Sequence, residues 1–201
     1  MPHVFTLGHS NHPIEKFVAL LGAHGVRLVA DVRSQPYSRF QPQFRREPLR
    51  AALAAAGIDY SFTGRELGAR AEDPACYVDG KVDYDLLAAT SEFAAGLERV
   101  ATAASERPTA LLCAERDPLT CHRTILVCRH LAERDIGARH ILRDGNVEEG
   151  ADAIARLIAE EELDDGDLFR NRAATIAEAY RRRGRKIAYS KVAVRATPSR
   201  S

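Results

Sequence analysis

Apolar runs separated by polar turns predict an α/β fold from the first residues of the chain. Val4–Leu7 is a short apolar run typical of a buried strand, and the polar stretch after it ends at Pro13, which suits the first position of a helix. Apolar residues then recur at helical spacing to about Ala23, and Gly25 is placed to end that helix. A second strand over Arg27–Val32 completes the opening of a βαβ unit, whose crossover implies parallel strands.

The same criteria predict the elements that follow. They are helices over Pro48–Ala56, Asp85–Ser105 and Pro118–Arg134, and strands over Ile58–Thr63, Ala110–Cys113 and Arg139–Leu142. The apolar run that ends at Cys113 contains no charged residue, which is typical of a central strand covered on both faces. We therefore predict a three-layer α/β sandwich, in which helices flank a mainly parallel sheet.

The chain changes character after its last predicted strand, and this change indicates a boundary. We assign residues 1–145 to an α/β core domain and residues 146–201 to a C-terminal helical extension. Within the extension, Ala151–Glu162 has the pattern of an acidic amphipathic helix, and a second helix predicted over Asp167–Arg183 has a basic end. The tail over residues 196–201 is expected to be loose.

Composition and charge narrow the function classes only a little. The 201 residues carry 29 Lys and Arg against 28 Asp and Glu, so the formal net charge of +1 gives no overall attraction to nucleic acid or membranes. No apolar run approaches the roughly 20 residues that cross a bilayer, and the start of the chain lacks the pattern of a signal peptide. We therefore expect a cytoplasmic protein without membrane contact, whose 4 cysteines remain thiols.

Three polar segments follow predicted strands and are expected to meet at one edge of the sheet. They are Gly8–His12 after the first strand, Asp31–Phe40 after the second and Cys113–Arg123 after the central one. Ligands of open parallel sheets bind at the carboxyl ends of the strands, where loops and helix N-termini present backbone donors. The sequence therefore predicts a site in a crevice between these segments, provided that the strands are parallel.

The turn after the central strand carries two candidate nucleophiles, Cys113 and Cys121. Asp117-Pro118 is a natural helix start, and it places Cys121 in the positive field of the helix dipole, close to arginines that favour a thiolate. Cys113 would share that field at the end of its strand. The alternative that both are small core residues stays open, because free cysteine is among the most buried residue types.

Acid–base and anion-binding candidates surround these cysteines. His122 and His9 are expected to titrate near neutral pH and so suit acid and base work, and Glu115 and Asp31 are candidates to orient them. An arginine guanidinium binds phosphate or carboxylate with paired donors. Asp31 can also be interpreted as a buried hydrogen-bonding group at the end of its strand, with no role at the site. The candidate substrate-binding residues are Ser10, Asn11, Asp31, Arg33, Arg39, Arg65 and Arg123.

A metal site built from Cys113, Cys121 and His122 is a further interpretation of this turn. Adjacent residues such as Cys121 and His122 rarely converge on one ion, and the turn has neither a CxxC pair nor two separated histidines. We therefore expect no metal and no cofactor.

Three motifs resemble those of one known family. They are Leu7–Asn11, Ala30–Pro36, and Leu112–Pro118 with Cys121-His122-Arg123. In this order, over roughly Phe5–Leu142, they resemble the family catalogued as domain of unknown function 488. The resemblance implies a compact bacterial or archaeal α/β protein with these polar motifs as its hallmark and no established activity.

The strand-end Asp-Val-Arg and the later strand-end Cys113 also resemble, more distantly, rhodanese domains and thiol phosphatases. Those families hold an anion with the backbone amides of a short loop after the cysteine, usually closed by an Arg. The loop here departs from that pattern, because Leu119 stands where a thiol phosphatase would have Arg, and Glu115 and Asp117 would repel a phosphate. The departure argues against sulfur transfer and phosphoester hydrolysis through Cys113.

The sequence leaves three functions open. The first, which we expect, is an enzyme that acts on a phosphate-bearing small molecule, nucleotide or nucleic-acid end, with a histidine as acid or base and with Arg33 and Arg123 holding the anion. The second is a nucleic-acid-binding module that uses the basic segment Tyr180–Lys191 and the Arg39–Arg46 loop, whose aromatic residues would stack on bases. The third is thiol redox or sulfur-transfer work by the two cysteines of the turn.

Overall fold

The structure is a computed structural model that describes residues 2–163 and 172–191. Its strands are β1 (His3–Gly8), β2 (Leu28–Asp31), β3 (Asp59–Phe62), β4 (Tyr77–Val78), β5 (Lys81–Val82), β6 (Thr109–Cys113), β7 (Gly137–Ile141) and β8 (Val147–Glu149). Its α-helices are α1 (Ile14–Ala23), α2 (Arg46–Ala55), α3 (Gly64–Leu67), α4 (Tyr84–Ala88), α5 (Ser91–Glu106), α6 (Arg129–Ala132), α7 (Gly150–Glu160) and α8 (Arg172–Ile187). The tail over residues 196–201 and the start of the helix predicted over Asp167–Arg183 lie outside the described residues.

Six strands form one sheet in the order β3-β2-β6-β1-β7-β8, in which every neighbouring pair is parallel except β7 and β8. The parallel register aligns the carboxyl ends of three strands, because Gly8 pairs with Cys113 and Asp31 pairs with Leu112. Strands β4 and β5 form a separate antiparallel pair. The predicted mainly parallel sheet flanked by helices is confirmed.

The sheet separates two hydrophobic layers because successive side chains of a strand point to opposite faces. In β6, Leu112 packs with the layer that contains buried residues of α1 and α2. Its neighbours Leu111 and Cys113 pack with the opposite layer, which contains buried residues of α5, α6, α7 and α8. Cys121 belongs to this second layer too, so the fold directs both cysteines of the turn to the same side of the sheet.

The helix predicted over Asp85–Ser105 is wrong as a single element, because the chain forms α4 and α5 in its place. Thr90 separates them. Its hydroxyl accepts a hydrogen bond from the Phe93 N–H at 3.2 Å and donates one to the Leu87 carbonyl at 2.8 Å, so it caps the new helix while it ends the old one.

The helix predicted over Pro118–Arg134 is also wrong as a continuous element. A 3₁₀ turn over Pro118–Thr120 comes first, and Cys121 then adopts an extended conformation with φ −132° and ψ 139°. A π-helical segment over Arg123–Cys128 follows and leads into α6. This interruption sets the directions of the side chains at the site.

The sheet continues beyond residue 145, into the segment that the sequence assigned to the extension. Strand β8 pairs with β7 there, and α8 is held against the residues that end α7. The Arg183 guanidinium makes ion pairs with Glu160 at 2.8 Å and with Glu161 at 2.7 Å. Across residues 2–163 and 172–191, none of the helices combines the length and the apolar character that crossing a bilayer requires.

Candidate functional site

The three polar segments that follow β1, β2 and β6 lie together at the carboxyl edge of the sheet. The His9 N–H donates to the Cys113 carbonyl at 2.9 Å, and the Ser10 N–H donates to the Ala114 carbonyl at 2.9 Å. These bonds extend the pairing of β1 and β6 into their loops. A crevice of about 340 Å³ opens between the segments, and its lining includes His9, Arg33, Gln35, Arg70, Cys113 and Glu115.

Four side chains converge at the floor of this crevice, and we call them the floor cluster: Cys113, Glu115, Cys121 and His122. Both thiols donate to Glu115 Oε2, which lies 2.9 Å from Cys113 Sγ and 3.1 Å from Cys121 Sγ. His122 Nδ1 lies 3.5 Å from Cys113 Sγ and 4.0 Å from Cys121 Sγ. Glu115 is exposed and the other three are buried, so the cluster is open to solvent on its carboxylate side.

The backbone explains how two adjacent residues point to the same place. Cys121 is extended, whereas His122 is helical with φ −61° and ψ −25°, so the chain turns sharply between them. Cys121 and His122 are therefore an exception to the rule that adjacent side chains rarely point to the same place. His122 Nε2 lies 2.9 Å from the Val32 carbonyl, which can only accept, so Nε2 carries the proton and Nδ1 presents its lone pair to the sulfurs.

Arg123 makes hydrogen bonds with the segments that carry the floor cluster. Its side chain is 1% exposed, and its guanidinium donates to the carbonyls of Glu115 at 2.7 Å and Arg116 at 3.3 Å and to Thr6 Oγ1 at 3.4 Å. The Arg123 N–H also lies 3.4 Å from Cys121 Sγ. The residue that the sequence proposed as an anion ligand therefore has internal partners, and it is not among the described residues that line the crevice.

The two thiols differ in their tendency to ionise. Burial raises the pKa of Cys113 well above its usual range, and the neighbouring Cys121 and Glu115 raise it further. Burial also opposes a charge on Cys121, but its hydrogen bond with Cys113 and the charge of Arg123 outweigh that cost and lower its pKa. Burial likewise disfavours a charged His122, yet the hydrogen bond and charge of Cys121 raise its pKa. Of the two thiols, Cys121 therefore ionises more readily than Cys113.

Asp31 and Arg33 form a buried ion pair in the crevice wall. Arg33 is 5% exposed, and its Nε and Nη2 donate to the Asp31 carboxylate at 2.8 and 2.6 Å, while Nη1 donates to the Phe44 carbonyl at 2.9 Å. The Tyr60 hydroxyl, which sequence reasoning missed, donates to Asp31 at 2.8 Å. His9 stacks on Phe44. Burial, and then the charge of Arg33, lower the pKa of His9 to about 4, so His9 does not titrate near neutral pH as expected.

Two arginines, Arg70 and Arg45, stack on the rings of tyrosines that line the crevice. The Arg70 guanidinium lies 4.6 Å from the centre of the Tyr189 ring and donates to Gln35 Oε1 at 3.0 Å. The Arg45 guanidinium lies 4.5 Å from the centre of the Tyr37 ring, and Tyr37 is 63% exposed. Arg70 was not among the residues predicted from the sequence. Tyr189 belongs to the basic segment Tyr180–Lys191 that was predicted, and this segment reaches the crevice.

The remaining candidate residues lie around the crevice or outside it. Arg39 and Arg65 are exposed and do not belong to the described residues that line the crevice. Asn11 is exposed, and its Oδ1 accepts a hydrogen bond from Arg143 at 2.7 Å. Ser10 contacts its neighbours through backbone groups.

The basic end of α8 is largely engaged within the protein. Glu161 pairs with Arg183 at 2.7 Å and with Lys186 at 2.6 Å. Tyr180 is 8% exposed and Phe44 is fully buried, so neither offers a face on which a base could stack. Of the aromatic residues expected to serve a nucleic-acid-binding module, Phe40, which is 83% exposed, and Tyr189, which lines the crevice, remain accessible.

Comparison with known proteins identifies a family for this chain. A model of the family described as "Domain of unknown function DUF488" matches residues 13–129, more than half of the chain. Neither a curated protein nor a solved structure matches the chain. The matched range includes the whole floor cluster and Arg70, whereas His9 and Tyr189 lie outside it.

Proposed function

The chain belongs to the family described as "Domain of unknown function DUF488", and since that description assigns no activity, we propose a function from the crevice itself. We propose that the protein is an enzyme that acts on a phosphate-bearing small molecule, nucleotide or nucleic-acid end. The observation that carries the proposal is that three members of the floor cluster, Cys113, Glu115 and His122, line the same crevice of about 340 Å³ as Arg70. An enzyme for an anionic substrate needs groups that can react and a cation that can bind the substrate, and this crevice has both.

We assign anion binding to Arg70, and not to the buried arginines Arg33 and Arg123. Arg33 and Arg123 have their guanidinium donors directed to internal acceptors, so a substrate would have to break those bonds. Arg70 is exposed, is held in place by Gln35 and Tyr189, and keeps donors available for phosphate. The ring of Tyr37, which is 63% exposed and lines the same crevice, suits a planar group such as a nucleobase.

Proton transfer in the crevice is assigned to Glu115. It is the exposed member of the floor cluster and the one whose side chain a bound substrate would meet first. His122 is buried behind it, with Nε2 bound to the Val32 carbonyl and Nδ1 directed at the sulfurs. The imidazole therefore acts on the thiols, and the carboxylate acts on the substrate.

Replacing Arg70 by Gln tests the binding half of the proposal. A panel of inorganic phosphate, nucleoside mono-, di- and triphosphates and short 5′-phosphorylated oligonucleotides is screened for an increase in the melting temperature. A ligand present at 100 times its dissociation constant adds about 2.7 kcal/mol to stability, which is several degrees for a chain of this size. We expect such a shift in the natural protein and its loss in Arg70→Gln.

The matched control is Arg65→Gln, an exposed arginine that does not line the crevice, and it should keep the shift. Chromatography of the ligands that bind then shows whether they are converted to products. The proposal fails if no ligand of the panel raises the melting temperature, if both arginine variants lose the shift equally, or if every ligand that binds is recovered unchanged.

A further inference from the structure

The floor cluster has the composition of a zinc site, and the distances between its ligand atoms lie close to those of one. Two thiols, an imidazole and a carboxylate are the ligand types that Zn²⁺ selects. A tetrahedral ion with bonds of about 2.0–2.3 Å holds its ligand atoms about 3.3–3.8 Å apart. The contacts of the two sulfurs with Glu115 and His122 range from 2.9 to 4.0 Å, and all four ligand atoms lie within 4.8 Å of one another. We infer that Cys113, Glu115, Cys121 and His122 bind one Zn²⁺ ion.

The surroundings of the cluster orient its members as ligands. The Val32 carbonyl accepts from His122 Nε2 at 2.9 Å, the arrangement that leaves Nδ1 free for a metal. The Arg123 N–H approaches Cys121 Sγ at 3.4 Å and stabilises negative charge on that sulfur. The Arg123 guanidinium fixes the Glu115 carbonyl at 2.7 Å and so fixes the segment that carries the fourth ligand.

The four ligands are not equivalent. Cys113, Cys121 and His122 are buried, whereas Glu115 faces the crevice. Catalytic zinc sites keep one exchangeable position beside three protein ligands. Glu115 is therefore the ligand that a water molecule or a substrate oxygen would displace, and it would then be free to take a proton. This exchange rests on the proposed function, but binding of the ion does not.

Metal content measures the inference directly. The full chain is purified with a reductant, freed of metal with a chelator, and titrated with Zn²⁺ against a chromophoric competitor. We expect about one tightly bound Zn²⁺ per chain and a loss of affinity of at least about tenfold in Cys121→Ser and His122→Gln. Co²⁺ should bind with the near-ultraviolet absorption of a thiolate complex, and Cys121→Ser should weaken that absorption.

The control is Cys128→Ser, which replaces another buried cysteine of the same region outside the cluster. Circular dichroism establishes that each variant is folded. His122→Gln keeps both thiols, so it distinguishes a metal site from a pair of cysteines that form a disulfide. The inference is overturned if the folded, reduced protein takes up no Zn²⁺, or if Cys128→Ser weakens binding as much as Cys121→Ser. It is also overturned if His122→Gln binds Zn²⁺ as the natural protein does.

The result can be separated from that of the proposed function. Arg70→Gln should bind Zn²⁺ normally, because Arg70 lines the crevice but is not a member of the cluster. A protein that binds zinc but no phosphate ligand would refute the proposed function alone. A protein that binds a phosphate ligand but no zinc would refute the metal site alone.

Discussion

His122 and His140 are both buried beside Arg123, but their other neighbours move their pKa values in opposite directions. Burial disfavours charge on both rings. For His122, the hydrogen bond and charge of Cys121 reverse that effect and raise the pKa. For His140, the charges of Arg123 and Arg156 add to burial and lower the pKa to about 3. Burial alone therefore does not decide the direction in which the pKa of a histidine moves, because neighbouring charges and hydrogen bonds can outweigh it.

His140→Gln is expected to reduce the sensitivity of the protein to mild acid. Folded His140 stays neutral down to a pKa of about 3, whereas its ordinary value of 6.5 applies to the unfolded chain. The unfolded chain binds more protons between these values, so the stability that His140 contributes is complete above pH 6.5 and is lost as the pH falls. Between pH 7 and pH 5 the loss is about 2 kcal/mol. Urea denaturation at both pH values should show a smaller difference for the variant, and an unchanged difference would contradict this account.

At the scale of elements, the sequence predicted what depends on periodicity and missed what depends on single backbone angles. Strands β1, β2 and β6 are apolar runs, and parallel pairing follows from their helical connections. All four members of the floor cluster were named as candidates from the sequence. Their convergence depends on the extended Cys121 followed by the helical His122, and no pattern of side chains encodes that change.

Two contacts between distant segments could not be predicted from the sequence either. Tyr60 reaches Asp31 from the neighbouring strand, and Arg70 stacks on Tyr189 across more than half of the chain. Each looks like an ordinary surface residue in the sequence. Only the strand order and the return of the chain after α8 bring these partners together.

Gly8 ends β1, and the close approach of another segment leaves no room for a side chain there. A Cβ at Gly8 would lie 1.8 Å from the Glu115 carbonyl oxygen. Gly8→Ala must therefore displace the segment that carries Glu115, and we expect it to lower the free energy of unfolding by roughly 1–3 kcal/mol.

Gly22→Ala is the matched control because nothing lies within 4 Å of a Cβ at that helical position. It should raise the free energy of unfolding by about 0.5–1 kcal/mol. Urea denaturation measures both variants. Equal stability of Gly8→Ala and the natural protein would show that the close approach of the two loops is not maintained in solution.

At the scale of the whole molecule, elements from both ends of the chain build one site. Strand β6 supplies Cys113, the segment before α6 supplies Cys121 and His122, and α8 contacts the turn between them. The Arg183 guanidinium, for instance, donates to the Leu119 carbonyl at 3.2 Å, within the turn itself. The formal net charge of +1 gives no sign of the arginines Arg33 and Arg70 that line the crevice.

X-ray absorption at the zinc edge of the reduced, zinc-loaded full chain tests the floor cluster most directly. The account predicts two sulfur neighbours at about 2.3 Å and two nitrogen or oxygen neighbours at about 2.0–2.2 Å. A shell without sulfur, a shell of four sulfurs, or a chain that retains no zinc would contradict the assignment of Cys113, Glu115, Cys121 and His122 to a single centre.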